Sequence, residues 1–311
     1  MDAMFNGLLF FPVTPFRVDG GADLPELAAH VSRGVAAGAG GVFAACGTGE
    51  FSALEPGEYE DVVGTAVQAA AGRVPVFAGA GGPVRTARRF ADLAASAGAD
   101  GVLLLPPYLT EASGAGLVRY VREATRDDLP AIVYNRANAR FDEASAVAVA
   151  RLPQVTGFKD GVGDLDLMIR IVRAVRDELR DQEEHLPFGF FNGMPTAEVT
   201  QRAYRAIGVP LYSSAAFAFA PRVALAYYDA LEAGDLATLD ALERAFFHPL
   251  ARLRAKGSGY AVSLVKAGVE LAGYPSGGVR APLTGVAPEH RAELAVILAA
   301  GLAAVPEPGT A

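Results

Sequence analysis

Eight short apolar runs, each followed by a longer stretch of helical character, limit what this chain can fold into. The runs are Leu8 to Thr14, Gly41 to Cys46, Val74 to Ala78, Gly101 to Leu105, Ala131 to Asn135, Val155 to Lys159, Phe188 to Asn192 and Pro210 to Ser214. They are apolar nearly throughout rather than alternating, so both faces of each strand need cover, as in a parallel sheet. The stretches Leu24 to Ala37, Pro56 to Ala71, Pro83 to Ala97, Ala115 to Arg126, Asp142 to Arg151, Leu165 to Leu179, Thr196 to Ala206 and Ala220 to Glu232 read as the covering helices. Eight strands alternating with eight helices predict an α/β protein, a (β/α)8 TIM barrel. An open doubly wound sheet would need a switch-point motif or a second domain, and neither is visible.

The pattern changes after Gly234. Leu236 to Ala255, Tyr260 to Ala272 and Pro288 to Ala303 read as helices with no strand between them. The expected organisation is a catalytic barrel over residues 1–234 and a C-terminal helical extension over 235–311, with a frayed tail from Pro306. Charge then narrows the partners. A formal net charge of -8 with dispersed arginines argues against a nucleic-acid surface. Cys46 is the only cysteine, which excludes an intramolecular disulfide and a cysteine metal cage and suits a reducing cytoplasm. The four histidines, His30, His185, His248 and His290, lack ligand-like spacing, so no metal is expected. The start carries no basic region, and the apolar run from Leu8 to Val13 is too short for a signal core or a membrane span.

In a barrel of this kind the active site forms where strands end, so polar residues terminating apolar runs are the candidates. Lys159 stands out, because only three of the 27 basic residues are lysines and this one ends an apolar run. Arginine cannot give up its proton, whereas a lysine in an apolar cavity can become a neutral nucleophile toward a ketone carbon. The alternative is a strand-end lysine that reaches to solvent. Tyr134 is either a core tyrosine or a phenol that moves protons. Gly47-Thr48-Gly49-Glu50 is either a plain tight turn or a nest of backbone N–H groups for a carboxylate. Cys46 reads most simply as a small buried hydrophobe. Gly79-Ala80-Gly81-Gly82 lacks the rest of a phosphate-loop signature, and close packing explains it better.

Taken in order, Pro12-Val13-Thr14-Pro15-Phe16, Gly47-Thr48-Gly49-Glu50, Tyr134-Asn135, Gly157-Phe158-Lys159-Asp160 and the helical C-terminus resemble the dihydrodipicolinate synthase and N-acetylneuraminate lyase superfamily over nearly the whole chain. The resemblance implies that Lys159 forms an imine with a 2-keto acid, that Tyr134 handles protons, and that Gly47 and Thr48 hold the keto acid's carboxylate. It implies no metal or organic cofactor, and it implies a homodimer or homotetramer.

Departures from the synthase pattern narrow the choice. Gly47 stands where the first of two threonines is expected, Leu109 stands at the relay tyrosine, and Tyr134-Asn135-Arg136-Ala137-Asn138-Ala139-Arg140 displaces the arginine that grips an aldehyde substrate. The combination is similar to the branch that dehydrates and decarboxylates 5-dehydro-4-deoxyglucarate, a 2-keto-3-deoxy dicarboxylate, to 2,5-dioxopentanoate. In that reading Arg136 or Arg140 meets the distal charge, and Asn138, Asn192 and Ser214 bind hydroxyls. The alternatives are a class I 2-keto acid aldolase or synthase of the same superfamily, and a noncatalytic sugar-acid-binding barrel.

Overall fold

The structure, a computed structural model, describes residues 4–107, 111–180 and 187–306. Leu109, His185 and the tail beyond residue 306 lie outside the described residues. Eight parallel strands close into a barrel in sequential order: β1 (Leu9–Phe10), β2 (Gly41–Ala44), β3 (Val76–Ala80), β4 (Gly101–Leu104), β5 (Ala131–Asn135), β6 (Val155–Asp160), β7 (Gly189–Asn192) and β8 (Leu211–Ser214), with β8 pairing back onto β1. The covering helices are α1 (Leu24–Ala37), α2 (Pro56–Ala70), α3 (Val84–Ser96), α4 (Gly114–Ala124), α5 (Glu143–Ala150), α6 (Leu165–Leu179), α7 (Glu198–Ala206) and α8 (Pro221–Ala233). Among the described residues no helix is long and apolar enough to cross a membrane.

Strands β1 and β3 depart furthest from expectation, and proline is the reason in both. Strand β1 leaves the ladder after Phe10, because Pro12 has no N–H to give. Strand β3 begins after Pro75 and runs on through Gly79 and Ala80. There the absence of a side chain is used: a Cβ on Gly79 would lie 2.3 Å from the Ala45 carbonyl oxygen of β2's following turn.

The lumen is packed with aromatic rings. Phe5 closes it from below, with ring centroids 5.5, 5.1 and 5.8 Å from those of Phe43, Phe77 and Phe191. Phe11 stacks on Phe43 at 4.6 Å. Side chains alternate between lumen and helix layer along each strand. Ile132 and Tyr134 join the lumen cluster, whereas Val133 and Phe158 belong to the layer under the helices.

Beyond α8 the expected single helix over Leu236 to Ala255 is divided. Helix α9 (Leu236–Leu242) passes through a π-helical turn over Glu243–Phe247 into α10 (His248–Arg254). Pro249 sits in the first turn of α10, where its missing N–H would interrupt a regular ladder, and the wider turn before it absorbs the mismatch. Helices α11 (Tyr260–Leu271) and α12 (Pro288–Ala303) complete the bundle. Phe246, Leu253, Leu264 and Leu294 share one buried cluster with α8 and α1.

Candidate active site

A cavity of about 600 Å³ opens at the C-terminal ends of the strands, the size expected for a small-molecule site. Parity along β6 turns Gly157 and Lys159 toward the lumen and Phe158 and Asp160 away. Lys159 therefore stands on the aromatic floor, 4% exposed, with its Nζ 4.1 Å from the Phe11 ring centroid and 4.8 Å from that of Tyr134. No carboxylate forms an ion pair with it among the described residues, in contrast to Lys266, which pairs with Glu50 at 2.7 Å. Desolvation is the main cause that pushes the Lys159 amine down to about 7; the neighbouring Cys46 opposes the shift and Arg136 adds to it. The Cys46 thiol is itself pushed up to about 12 by burial, so it keeps its proton at neutral pH and the opposition from it is weak there.

Strand β5 places Tyr134 directly across from Lys159 in the sheet register. The phenol donates to the Gly193 carbonyl at 2.7 Å and accepts from Arg136 Nη1 at 2.7 Å. Burial raises its pKa and Arg136 opposes the rise, so the O–H keeps its proton at neutral pH. Gly193 is required by crowding: a Cβ there would sit 2.6 Å from Lys159 Cε and 2.8 Å from Tyr134 Cε2.

The turn after β2 is built under strain. Ala45 and Glu50 hold φ values of 47° and 56°, a region unfavourable to residues with a Cβ and concentrated at functional sites. Thr14 Oγ1 donates to the Gly49 carbonyl at 2.7 Å and anchors the turn to the chain after β1. Gly47 and Thr48 line the cavity, and among the described residues no protein acceptor meets their backbone N–H groups. These donors suit a carboxylate. Glu50 faces the other way and is buried. Its carboxylate pairs with Lys266 and accepts from the Arg280 backbone N–H at 2.9 Å, which ties the turn to the C-terminal segment. Lys266 and Arg280 also lie over the Phe16 ring at 4.0 and 4.1 Å.

Arg136, Ala137 and Asn138 also reach the cavity. The chain turns tightly there, with an antiparallel bridge between Arg136 and Ala139 and a φ of 53° at Ala137. Asn138 Nδ2 donates to the Pro107 carbonyl at 3.1 Å. Arg140 does not line the cavity; it is exposed and donates to the Ala137 carbonyl at 3.0 Å.

Asn192 and Ser214 must be corrected. Both are fully buried on the helix side of the sheet. Asn192 Nδ2 donates to the Ala197 carbonyl, Thr200 Oγ1 and Gln201 Oε1, and Ser214 Oγ donates to Glu198 and accepts from the Phe217 N–H. The register explains the error. Tyr134, Lys159 and Phe191 pair across the sheet, and so do Asn135, Asp160 and Asn192, one position on. The second row faces outward, and a shift of one residue puts Gly193 and Ser213 on the cavity in place of Asn192 and Ser214. Asn135 and Asp160 in that outer row lock the site from behind. Asp160 accepts from Asn135 Nδ2 at 2.8 Å, from the Val162 and Gly163 N–H groups and from the Tyr204 hydroxyl.

Arg254 is a residue that sequence reasoning missed. It ends α10, lines the cavity and donates to Thr196 Oγ1 from the rim after β7. Thr196 is another strained position, at a φ of 53°. No strand-end rule points to a residue in the helical extension, and its basic neighbours Arg252 and Lys256 face solvent.

Fold and site together define a closed parallel barrel with an unpaired buried amine at its C-terminal rim, beside a phenol and a turn of available N–H donors. Such an arrangement can capture a carbonyl carbon and hold an adjacent carboxylate. Comparison with known proteins makes the relationship specific: a model of the dihydrodipicolinate synthetase family matches residues 4–301, and the chain belongs to that family. Similar sequences include the probable 5-dehydro-4-deoxyglucarate dehydratase 1 of Streptomyces coelicolor, 55% identical over 97% of this chain and 95% of the relative. The probable 5-dehydro-4-deoxyglucarate dehydratase of Delftia acidovorans is 43% identical over 96% of each chain. Among solved structures, dihydrodipicolinate synthase from Oceanobacillus iheyensis superimposes with a TM-score of 0.86 at 26% identity, covering 96% of this chain and 97% of that one.

Proposed function

We propose that this protein is a decarboxylating dehydratase that converts 5-dehydro-4-deoxyglucarate to 2,5-dioxopentanoate, water and carbon dioxide through an imine on Lys159. The observation that carries the reading is the unpaired, desolvated Lys159 amine facing Tyr134. Its support in sequence is the set of full-length relatives bearing the dehydratase name.

The chemistry follows from the positions of these groups. With the keto acid's carboxylate on the Gly47 and Thr48 N–H groups, the ketone carbon faces Lys159. The neutral amine adds to that carbon, and the Tyr134 hydroxyl donates a proton to the departing oxygen, so water leaves and the iminium forms. The iminium acidifies the neighbouring methylene. Loss of a proton there gives an enamine, which expels the hydroxyl one carbon further on as the second water and leaves a conjugated iminium. The far carboxylate then leaves as carbon dioxide, its bonding pair flowing through the conjugated system to the nitrogen. Protonation at carbon and hydrolysis of the imine consume one water and release an enol that becomes the aldehyde, so the net products are one water and one carbon dioxide. Asn138 and Ser213 stand at the cavity wall as partners for the substrate hydroxyls.

The substrate is thus a small sugar acid. Self-association through the C-terminal helices is part of the same reading, since Val296 and Leu302 of α12 are exposed; a monomer by sedimentation velocity would refute that part. The reducing cytoplasm is its natural setting, with Cys46 a buried free thiol. The decisive experiment is incubation with 5-dehydro-4-deoxyglucarate, with products read by mass spectrometry and the imine trapped by borohydride. Carbon dioxide, 2,5-dioxopentanoate and a mass adduct on Lys159 are expected. Release of pyruvate would assign an aldolase instead, and full turnover by Lys159→Arg would rule out the covalent route.

A further inference from the structure

We propose that Arg254, together with Arg136, grips the carboxylate at the far end of the substrate and so selects dicarboxylates over 2-keto acids that carry one. The inference rests on the functional reading above and adds to it the residue that reads substrate charge.

The charge on the cavity wall favours an anion. Lys159, Arg136 and Arg254 line it, and no aspartate or glutamate does among the described residues, although the protein as a whole carries a formal charge of -8. Lys159 must be neutral to act, so the two guanidiniums are the permanent charges there. Neither forms an ion pair among the described residues, whereas Arg126, Arg151, Arg170, Arg202, Arg205 and Arg280 each engage a carboxylate. Arg254 spends one hydrogen bond on a neutral hydroxyl, that of Thr196, and Arg136 spends one on the Tyr134 phenol. A guanidinium has five N–H donors in a planar fork matched to a carboxylate, so both keep donors for a ligand.

The two cations also act on each other. Desolvation is the main cause that lowers the Arg254 pKa; the buried Glu198 carboxyl opposes the shift and the Arg136 charge adds to it. Like charges brought to one partly dry wall with no acid between them are unfavourable until an anion arrives. Glu198 does not supply that anion, because it lies behind the wall, bonded to Ser214, and burial raises it to about 7.

Reach agrees. Lys159 Nζ lies 4.8 Å and Arg136 Cζ 5.5 Å from the Tyr134 ring centroid, so the two are at most about 10 Å apart. From ketone carbon to far carboxylate the six-carbon acid has four carbon–carbon bonds of roughly 1.5 Å, an extended reach of about 5 Å. Adding the bond to Lys159 at one end and a hydrogen-bonded contact at the other gives a span long enough to bridge the two at any separation within that bound, in an extended or a bent conformation.

The test is steady-state kinetics of wild type, Arg254→Met and Arg254→Lys on 5-dehydro-4-deoxyglucarate, alongside borohydride trapping with pyruvate, which has a single carboxylate. Loss of one charge-assisted carboxylate contact predicts a rise in KM for the dicarboxylate of about 10- to 100-fold in Arg254→Met, with a smaller change in kcat and partial recovery in Arg254→Lys. The concentration of pyruvate needed for half-maximal trapping should move far less. An unchanged KM, or an equal loss on pyruvate and dicarboxylate, overturns the assignment and leaves Arg254 as a prop for the Thr196 segment. Should Arg254→Met fail to fold, as read by circular dichroism, the same comparison on Arg254→Gln decides. Wild type that neither converts nor traps the dicarboxylate would place the failure in the functional reading, whereas active wild type with an indifferent Arg254→Met places it here.

Discussion

Replacing Lys159 with methionine is expected to make the protein more stable while abolishing turnover. The amine sits at about 7 in the fold against an ordinary 10.5, and unfolding returns it to water. At neutral pH the unfolded chain therefore holds a proton that the folded chain resists. With each pH unit worth about 1.4 kcal/mol, the opposition to folding approaches roughly 5 kcal/mol at pH 7 and below. Methionine keeps the apolar stem, fills the same channel between Phe11 and Tyr134 and has nothing to titrate. Imperfect packing against Gly193 removes part of the gain, which leaves an expected net stabilisation of about 2–4 kcal/mol at pH 7.

The pH dependence distinguishes this account from a simple packing effect. Between about 7 and 10.5 the unfolded state binds the extra proton, so wild-type stability rises with pH on account of this group. The advantage of methionine should then shrink by about 1.4 kcal/mol per pH unit and, once the packing loss is counted, vanish between about pH 8.5 and 10. Below 7 both states of the wild type are protonated, and the advantage stays constant. Guanidinium unfolding of both proteins at pH 7, 8 and 9 measures it. A variant no more stable than wild type at pH 7, or an advantage equal at pH 7 and 9, would refute the reasoning from desolvation.

The remaining expectations concern rate and anchoring. As pH falls through about 7 the Lys159 amine gains its proton, so kcat/KM should drop with a slope approaching tenfold per unit; a flat profile between pH 5 and 8 contradicts a neutral-amine nucleophile. Tyr134→Phe should lower kcat by about 10²–10⁴ and slow imine trapping without removing the reactive lysine; full turnover would deny the phenol its role. Lys266→Met leaves the Glu50 carboxylate buried without its cation, an expected loss of about 3–5 kcal/mol in guanidinium unfolding, and a loss below 1 kcal/mol would mean that water reaches the pair.

Much of the barrel was legible because its strands are covered on both faces and read as unbroken apolar runs. Ala131–Asn135, Leu24–Ala37 and Leu165–Leu179 have the bounds expected from those runs and their flanking signals. The ends of β1 and β3 were harder to read because apolar character continues past the point where proline withdraws a donor. Lys159, Tyr134, Gly47 and Thr48 meet at one cavity, and each could be singled out because it ends or follows an apolar run. The same rule misplaced Asn192 and Ser214. A strand-end polar residue faces either cavity or helix according to parity, and a run apolar on both faces carries no mark of which parity points inward. Arg254 was hidden for a different reason. Helical spacing tells which face of α10 is buried, but only packing decides that this helix crosses the mouth of the barrel.

That crossing has a consequence for how the protein comes into being. Leu250, Arg254, Tyr260 and Leu264 wall the cavity from segments far downstream of Lys159, and Lys266 reaches back to steady Glu50. A ribosome delivers the amine well before it delivers these partners, so the nascent barrel exposes a half-formed pocket to its surroundings. The last quarter of the sequence thus finishes the chamber around a nitrogen whose aromatic floor of Phe11 and Tyr134 is made long before.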